Sequence, residues 1–304
     1  MADFSPLPNK AASDAFFPVS RRELTVEAGD GVTLPATLFQ GEGRGPAVLV
    51  SAAAAVERRF YRAFATHLVE QGARAVLTYD YRGVGEAAKA SKARTFRMKD
   101  WGVIDLPAAL GRLEAEAGKG PVVGIGHSFG GVALGLSGAS ARFTRYCLVA
   151  AMNGYFRRTA EPLSVFARMN FAGVPATRLF GHVPASVGLG TALTGSIFRD
   201  WARWCRRPDF LFSDPEVPEA ERFSDVRIPL MSIALTDDRW GTREAVAKML
   251  ERFSNAEIAE VWLSPEEAGR PIGHMGYFRR EVRRTLWPVA TKYLLEAETP
   301  SAGP

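Results

Sequence analysis

The segment Gly126-His127-Ser128-Phe129-Gly130 constrains this chain more than any other. It follows Pro121–Gly126, an apolar run that reads as a strand. It precedes Phe129–Ala139, which reads as a helix. A strand that turns at once into a helix holds the residue at the corner in a strained backbone conformation. Glycines two residues to either side relieve the crowding there. Ser128 is then presented at the carboxyl end of a sheet, and the N–H of Phe129 points to where an oxyanion would form. The small residues Gly131, Ala133 and Gly135 let the helix pack closely. A dinucleotide-binding loop is excluded, because Gly124-x-Gly126 would need a third glycine where Phe129 stands.

The rest of the chain supplies a sheet for this turn. Two runs, Glu23–Glu27 and Val32–Phe39, flank Asp30-Gly31 and predict a hairpin. Ala47–Ser51 is a short apolar strand of the kind buried on both faces. Helix and strand then alternate: helix over 60–72, strand 73–80, helix 105–117, strand 121–126, helix 129–139 and strand 145–151. The rhythm breaks over 152–225, which is rich in aromatics and holds a helical segment near 196–205. It returns with a strand at 228–235, a helix at 242–253, a strand at 258–263 and a closing helix over 277–295. This predicts an α/β fold with a mostly parallel central sheet flanked by helices. Residues 19–151 and 226–298 form one discontinuous domain, 152–225 an inserted cap, and 1–18 a loosely held arm.

Composition narrows the setting. The 304 residues carry 38 basic and 33 acidic side chains, a net +5, with 47% hydrophobic residues, as in a globular chain with a sizeable core. Cys147 and Cys205 have no neighbouring Cys or His, so neither a disulfide framework nor a zinc site is expected, and a reducing cytoplasm fits. Neither a basic-then-apolar leader nor an apolar stretch long enough to span a membrane is present in the sequence. Lys89, Lys92, Arg94, Arg97 and Lys99 cluster, but without a nucleic-acid motif they read as a solvated basic loop.

A serine nucleophile needs a base and an orienting acid. Of the four histidines, His127 lies inside the turn and points away from Ser128, His67 sits on an early helix, and His182 falls in the insertion. His274, in Ile272-Gly273-His274-Met275-Gly276, follows the last strand and can swing over the sheet's carboxyl edge. Asp237 and Asp238 follow the strand ending at Leu235, and alternation cannot choose between them. One of the pair is expected to cap the helix that begins near Thr242.

Further motifs carry a resemblance. These are Phe60-Tyr61, Asp80-Tyr81-Arg82-Gly83-Val84-Gly85, Asp200-Trp201-Ala202-Arg203-Trp204-Cys205, Thr236-Asp237-Asp238 and Gly273-His274-Met275-Gly276-Tyr277-Phe278. With the Ser128 turn they make residues 22–297 resemble the α/β-hydrolase superfamily. Within it they are similar to a bacterial group of predicted hydrolases of serine-aminopeptidase or monoacylglycerol-lipase-like type. The resemblance implies Ser128 as nucleophile, His274 as base and Asp238 as acid, Thr242 selecting Asp238 over Asp237. It also implies an oxyanion hole from the N–H groups of Phe129 and Ala53, a small acyl substrate, and no cofactor or metal. The implied reaction is ester hydrolysis through an acyl-enzyme, with thioesters or amides as related substrates. The same residues also suit acyl transfer, and the fold alone suits a binding protein. One departure stands out: where the superfamily often has His-Gly, this chain has Ser51-Ala52-Ala53-Ala54-Ala55-Val56, and alanine restricts φ where glycine does not. If the insertion covers Ser128, its aromatics would wall an apolar pocket, and Arg157, Arg158, Arg203, Arg206 and Arg207 could meet an anionic group.

Overall fold

A computed structural model describes residues 18–85 and 95–296. Nearly all of the N-terminal arm, and Lys89, Lys92 and Arg94 of the basic cluster, lie outside the described residues. The other two members of that cluster are paired: Arg97 with Asp200 and Glu216, Lys99 with Glu219.

β1 (Ser20–Ala28) and β2 (Val32–Gln40) form the expected antiparallel hairpin, with Ser20 opposite Gln40 and Ala28 opposite Val32. β3 (Ala47–Ser51), β4 (Ala75–Tyr79), β5 (Val122–His127) and β6 (Tyr146–Val149) are buried along their whole lengths. The small hairpin β7 (His182–Val183) and β8 (Leu193–Thr194) stands apart from the main sheet. β9 (Leu230–Leu235) and β10 (Ile258–Leu263) complete that sheet. Its order is β1-β2-β4-β3-β5-β6-β9-β10, antiparallel at β1–β2–β4 and parallel from β4 onward. The uninterrupted Val, Leu and Ile runs explain this arrangement, since central parallel strands are covered on both faces.

Helices Arg62–Glu70, Leu106–Ala117, Phe129–Ser137, Arg243–Leu250 and Trp287–Leu295 join or flank the strands. Helix Phe129–Ser137 is buried from end to end, as its small residues require. The closing helix differs from expectation. A turn at Gly273–Gly276 and another at Arg280–Val282 precede a helix that begins only at Trp287. Pro288 sits in its first turn, the one helical position where a missing N–H costs nothing. Upstream, the Tyr277 carbonyl accepts from the Trp287 indole at 2.7 Å rather than continuing a helical ladder.

The loop after β4 is pinned by ions. Arg82 is buried, donating Nε to Asp105 Oδ1 at 2.7 Å and Nη1 to Asp30 Oδ2 at 2.6 Å. Its backbone N–H donates to Asp105 Oδ2 at 3.0 Å, and its carbonyl accepts from the Trp101 indole at 2.9 Å. Burial pushes the Asp105 carboxyl up to about 6, outweighing the pull of Arg82. Removing one member of such a pair strands the other charge in the interior. Asp105→Ala is therefore expected to destabilise the fold by about 3–5 kcal/mol in urea unfolding.

Candidate active site

Ser128 sits at φ +50°, ψ −108°, a conformation that costs a non-glycine residue about 1–3 kcal/mol. The strain is held from both sides. Ser128 N–H donates to the Val149 carbonyl on β6 at 2.8 Å, and the Ser128 carbonyl accepts from Gly131 N–H at 3.0 Å. A Cβ at Gly130 would fall on the Ser51 carbonyl, so only glycine lets the helix start against the end of β3. The N–H of Phe129 opens the helix, where it has no intrahelical acceptor. Ser128 Oγ makes one hydrogen bond among the described residues, a long one of 3.9 Å to Met152 Sδ.

Asp238 and His274 meet across the sheet's carboxyl edge, with Oδ2 to Nδ1 at 2.7 Å. Burial alone would raise the Asp238 carboxyl. The charge of His274, its hydrogen bond and the N–H groups of Trp240 and Gly241 outweigh that and hold it below the usual range. Asp237 has a different task. Its Oδ2 accepts from Ile272 N–H at 2.8 Å and its Oδ1 from Gly273 N–H at 2.9 Å, so it clamps the backbone of the loop that carries His274. Neither aspartate caps the following helix. Thr242 does, its Oγ1 accepting from Ala245 N–H at 3.3 Å.

His127 does point away from Ser128, but into a relay that residue spacing does not reveal. Ala53 N–H donates to Tyr61 Oη at 2.9 Å, and Tyr61 Oη lies 2.9 Å from His127 Nδ1. His127 Nε2 lies 2.8 Å from the His274 carbonyl. A carbonyl only accepts, so Nε2 carries the proton. Nδ1 then accepts from the Tyr61 hydroxyl, which in turn accepts from Ala53. The loop after β3, the Ser128 turn and the His274 loop are thus joined through two buried side chains. Ala53 N–H is committed to Tyr61, whereas Ala54 N–H makes no hydrogen bond among the described residues.

Ser128 and His274 line one cavity of about 220 Å³, with Ala53, Ala54, Met152, Trp201 and Trp240. A larger hollow of about 520 Å³ near Arg58 and Arg59 contains none of the candidate catalytic side chains. Residues 152–225 contribute Met152, Arg168, Gly188, Leu189, Gly190 and Trp201 to the cavity wall. Of the aromatics in this stretch, only Trp201 lines it. Phe198, Trp204 and Phe210 are buried, and Phe171 and Phe180 are exposed. The named arginines are spoken for: Arg158 by Glu244, Arg203 by Asp200 and Asp214, Arg206 by Asn170, Arg207 by the Ser213 carbonyl, and Arg157 over the Phe156 ring. His67 packs on Trp287 beside Thr291, and His182 is exposed on β7. No three His, Cys, Asp or Glu side chains cluster to hold a metal among the described residues.

A family model described as the alpha/beta hydrolase family matches residues 47–282, most of the chain. The chain belongs to the alpha/beta hydrolase family. Solved structures of similar fold include the esterase domain of a Rhodothermus marinus protein, with TM-score 0.55 and 17% identity, covering 90% of this chain and 97% of that one. The peroxisomal alpha-beta-hydrolase Lpx1 of Saccharomyces cerevisiae superposes with TM-score 0.57 at 13% identity, covering 95% and 92%. An α/β serine hydrolase without lid from Xanthomonas campestris gives TM-score 0.54 at 16% identity, covering 93% and 98%. No curated protein sequence matches. At these identities the likeness is one of fold. In this alpha/beta hydrolase, the sequence did not reveal the buried relay through Tyr61, the clamping by Asp237, which was weighed only as acid or helix cap, or the place of Arg168. Tyr61 carried a signal, since Phe60-Tyr61 is among the family-like motifs. Asp237 and Arg168 carried none, because backbone clamping and cavity lining leave no spacing pattern.

Two tests follow from these contacts. Burial, helped by the charge of His274, pushes His127 down to about 3; burial, helped by Arg283, pushes His67 down to about 4. Below the ordinary value of 6.5 the unfolded chain binds protons that the folded chain refuses, so stability is full above it and falls as pH drops toward these values. Urea unfolding is expected to lose roughly 1 kcal/mol per pH unit for each histidine between about pH 6 and 5, and His67→Gln to flatten that slope. Tyr61→Phe leaves Ala53 N–H and His127 Nδ1 buried without a partner, and is expected to cost about 1–3 kcal/mol in the same measurement.

Proposed function

We propose that this chain is a serine hydrolase that cleaves a small carboxylic ester through an acyl-enzyme. The observation that carries this reading is the 2.7 Å Asp238–His274 contact beside a strained Ser128, with Ser128 and His274 lining one cavity. Ser128 Oγ turns from Met152 to His274 Nε2 and gives up its proton as it attacks the acyl carbon. Asp238 keeps the proton of His274 on Nδ1 and stabilises the imidazolium that forms. His274 then protonates the leaving alcohol, and water repeats the sequence to release the acid.

The N–H of Phe129 holds the oxyanion from the helix side. The second donor comes from the loop after β3, at Ala53, whose N–H must leave or share Tyr61, or at its neighbour Ala54. Residues 152–225 act as a cap, an assignment supported by their share of the cavity wall. The two cysteines are free and buried, which accords with a reducing, cytoplasmic setting. No helix among the described residues is long and apolar enough to cross a membrane.

The test is labelling and turnover. A fluorophosphonate is expected to modify Ser128, and short-chain p-nitrophenyl esters to be hydrolysed. Ser128→Ala and His274→Ala are each expected to abolish turnover with the unfolding midpoint retained; activity surviving in either sinks the assignment. Asp238→Asn is expected to lower kcat by about 10⁴-fold, because the wrong tautomer of His274 is then favoured. Asp237→Asn, which touches only loop backbone, is expected to cost much less.

A further inference from the structure

We propose that the cavity selects a small ester that also carries a carboxylate, and that Arg168 is the residue that binds it. The proposal rests on the reading of Ser128 as nucleophile. Arg168 lines the same cavity as Ser128 and His274, and among the described residues it is the single lysine or arginine in a wall whose larger members include Val56, Met152, Leu189, Trp201 and Trp240. Its guanidinium lies beside Gly188, another wall residue, with Nη1 3.9 Å from where a Cβ there would stand.

Unlike the other insertion arginines considered above, Arg168 is left wanting. Its guanidinium makes no hydrogen bond among the described residues, and its Nε is buried without a partner. Its one ion pair, with Glu161, spans 3.8 Å, and Glu161 is already engaged at close range by Arg239. A buried, unbonded guanidinium N–H is costly, and the fork it belongs to matches a carboxylate's two oxygens. Among the described residues no acidic side chain lines the cavity to neutralise it. The volume, about 220 Å³, suits a small ester. The outer edge of Arg168 remains solvent-accessible, so the anion enters without being stripped of water at a distance.

The experiment compares matched esters of opposite charge state. Monomethyl succinate against dimethyl succinate places the carboxylate on the acyl side; butanoyl glycolate against its methyl ester places it on the alcohol side. The wild type is expected to favour the anion of one pair, and Arg168→Gln to lower that anion-to-neutral ratio of kcat/KM by about 10- to 100-fold. Arg168→Lys should retain part of the preference, and Arg206→Gln, whose side chain bonds Asn170, should leave the ratio alone. A preference absent from both pairs, or undiminished in Arg168→Gln, overturns the proposal. A second arm does not depend on turnover: succinate is expected to alter the tryptophan fluorescence of Ser128→Ala, through Trp201 and Trp240, and to do so far more weakly when Arg168→Gln is added. Succinate binding that ignores Arg168 also overturns it. Failure of the wild type to hydrolyse any of these esters, anionic or neutral, would instead count against the nucleophile assignment, and the binding arm still decides the role of Arg168.

Discussion

The hydrogen-bonded path from Ala53 through Tyr61 and His127 to the His274 carbonyl is what the site's geometry rests on. Three loops that leave the carboxyl ends of β3, β5 and β10 have no reason to keep register with one another. The relay gives them a common reference: a buried phenol and a buried neutral imidazole, every polar atom of which is satisfied. Phe278, edge-on to Tyr61 at 4.9 Å, and Phe64, 5.2 Å from Phe278, close the path off from water. In that dry setting an unmade bond is expensive, which is why so short a chain of contacts can fix loops from distant parts of the sequence.

The two neighbouring aspartates show how fine the division of labour is. Asp238 reaches a side chain and sets a proton's location. Asp237 reaches two amides and sets where the backbone runs. Both are carboxylates at the end of one strand, and both act on the same four-residue turn. The first touches the imidazole itself, the second only the backbone that carries it.

The sheet was legible because buried parallel strands leave long apolar runs, and the Ser128 turn because its crowding demands glycine at fixed offsets. Asp238 and His274 were reachable by strand order and by resemblance. What stayed hidden was whatever depends on contacts between distant parts of the chain. Tyr61 looks like one more core aromatic until its hydroxyl is placed. Arg168 looks less promising than the paired arginines 157 and 158 until their partners are known. The closing helix was misjudged because helical spacing over 277–295 says nothing about Pro288, or about the Trp287 indole capturing the Tyr277 carbonyl. The expected helix cap fell to Thr242 because a hydroxyl was already in place there, leaving both carboxylates for the His274 loop.

Ala55 holds φ +56°, an awkward value for alanine, and its carbonyl receives both the N–H and the hydroxyl of Thr191, at 2.8 and 3.1 Å. Gly190 lies so close that any side chain there would strike Ala55. The outer wall of the cavity is therefore fastened to the same peptide that shapes the alanine loop. A displacement of Gly190 or Thr191 therefore pulls on a backbone segment two residues from Ala53, so this part of the wall and the alanine loop move as one mechanical unit.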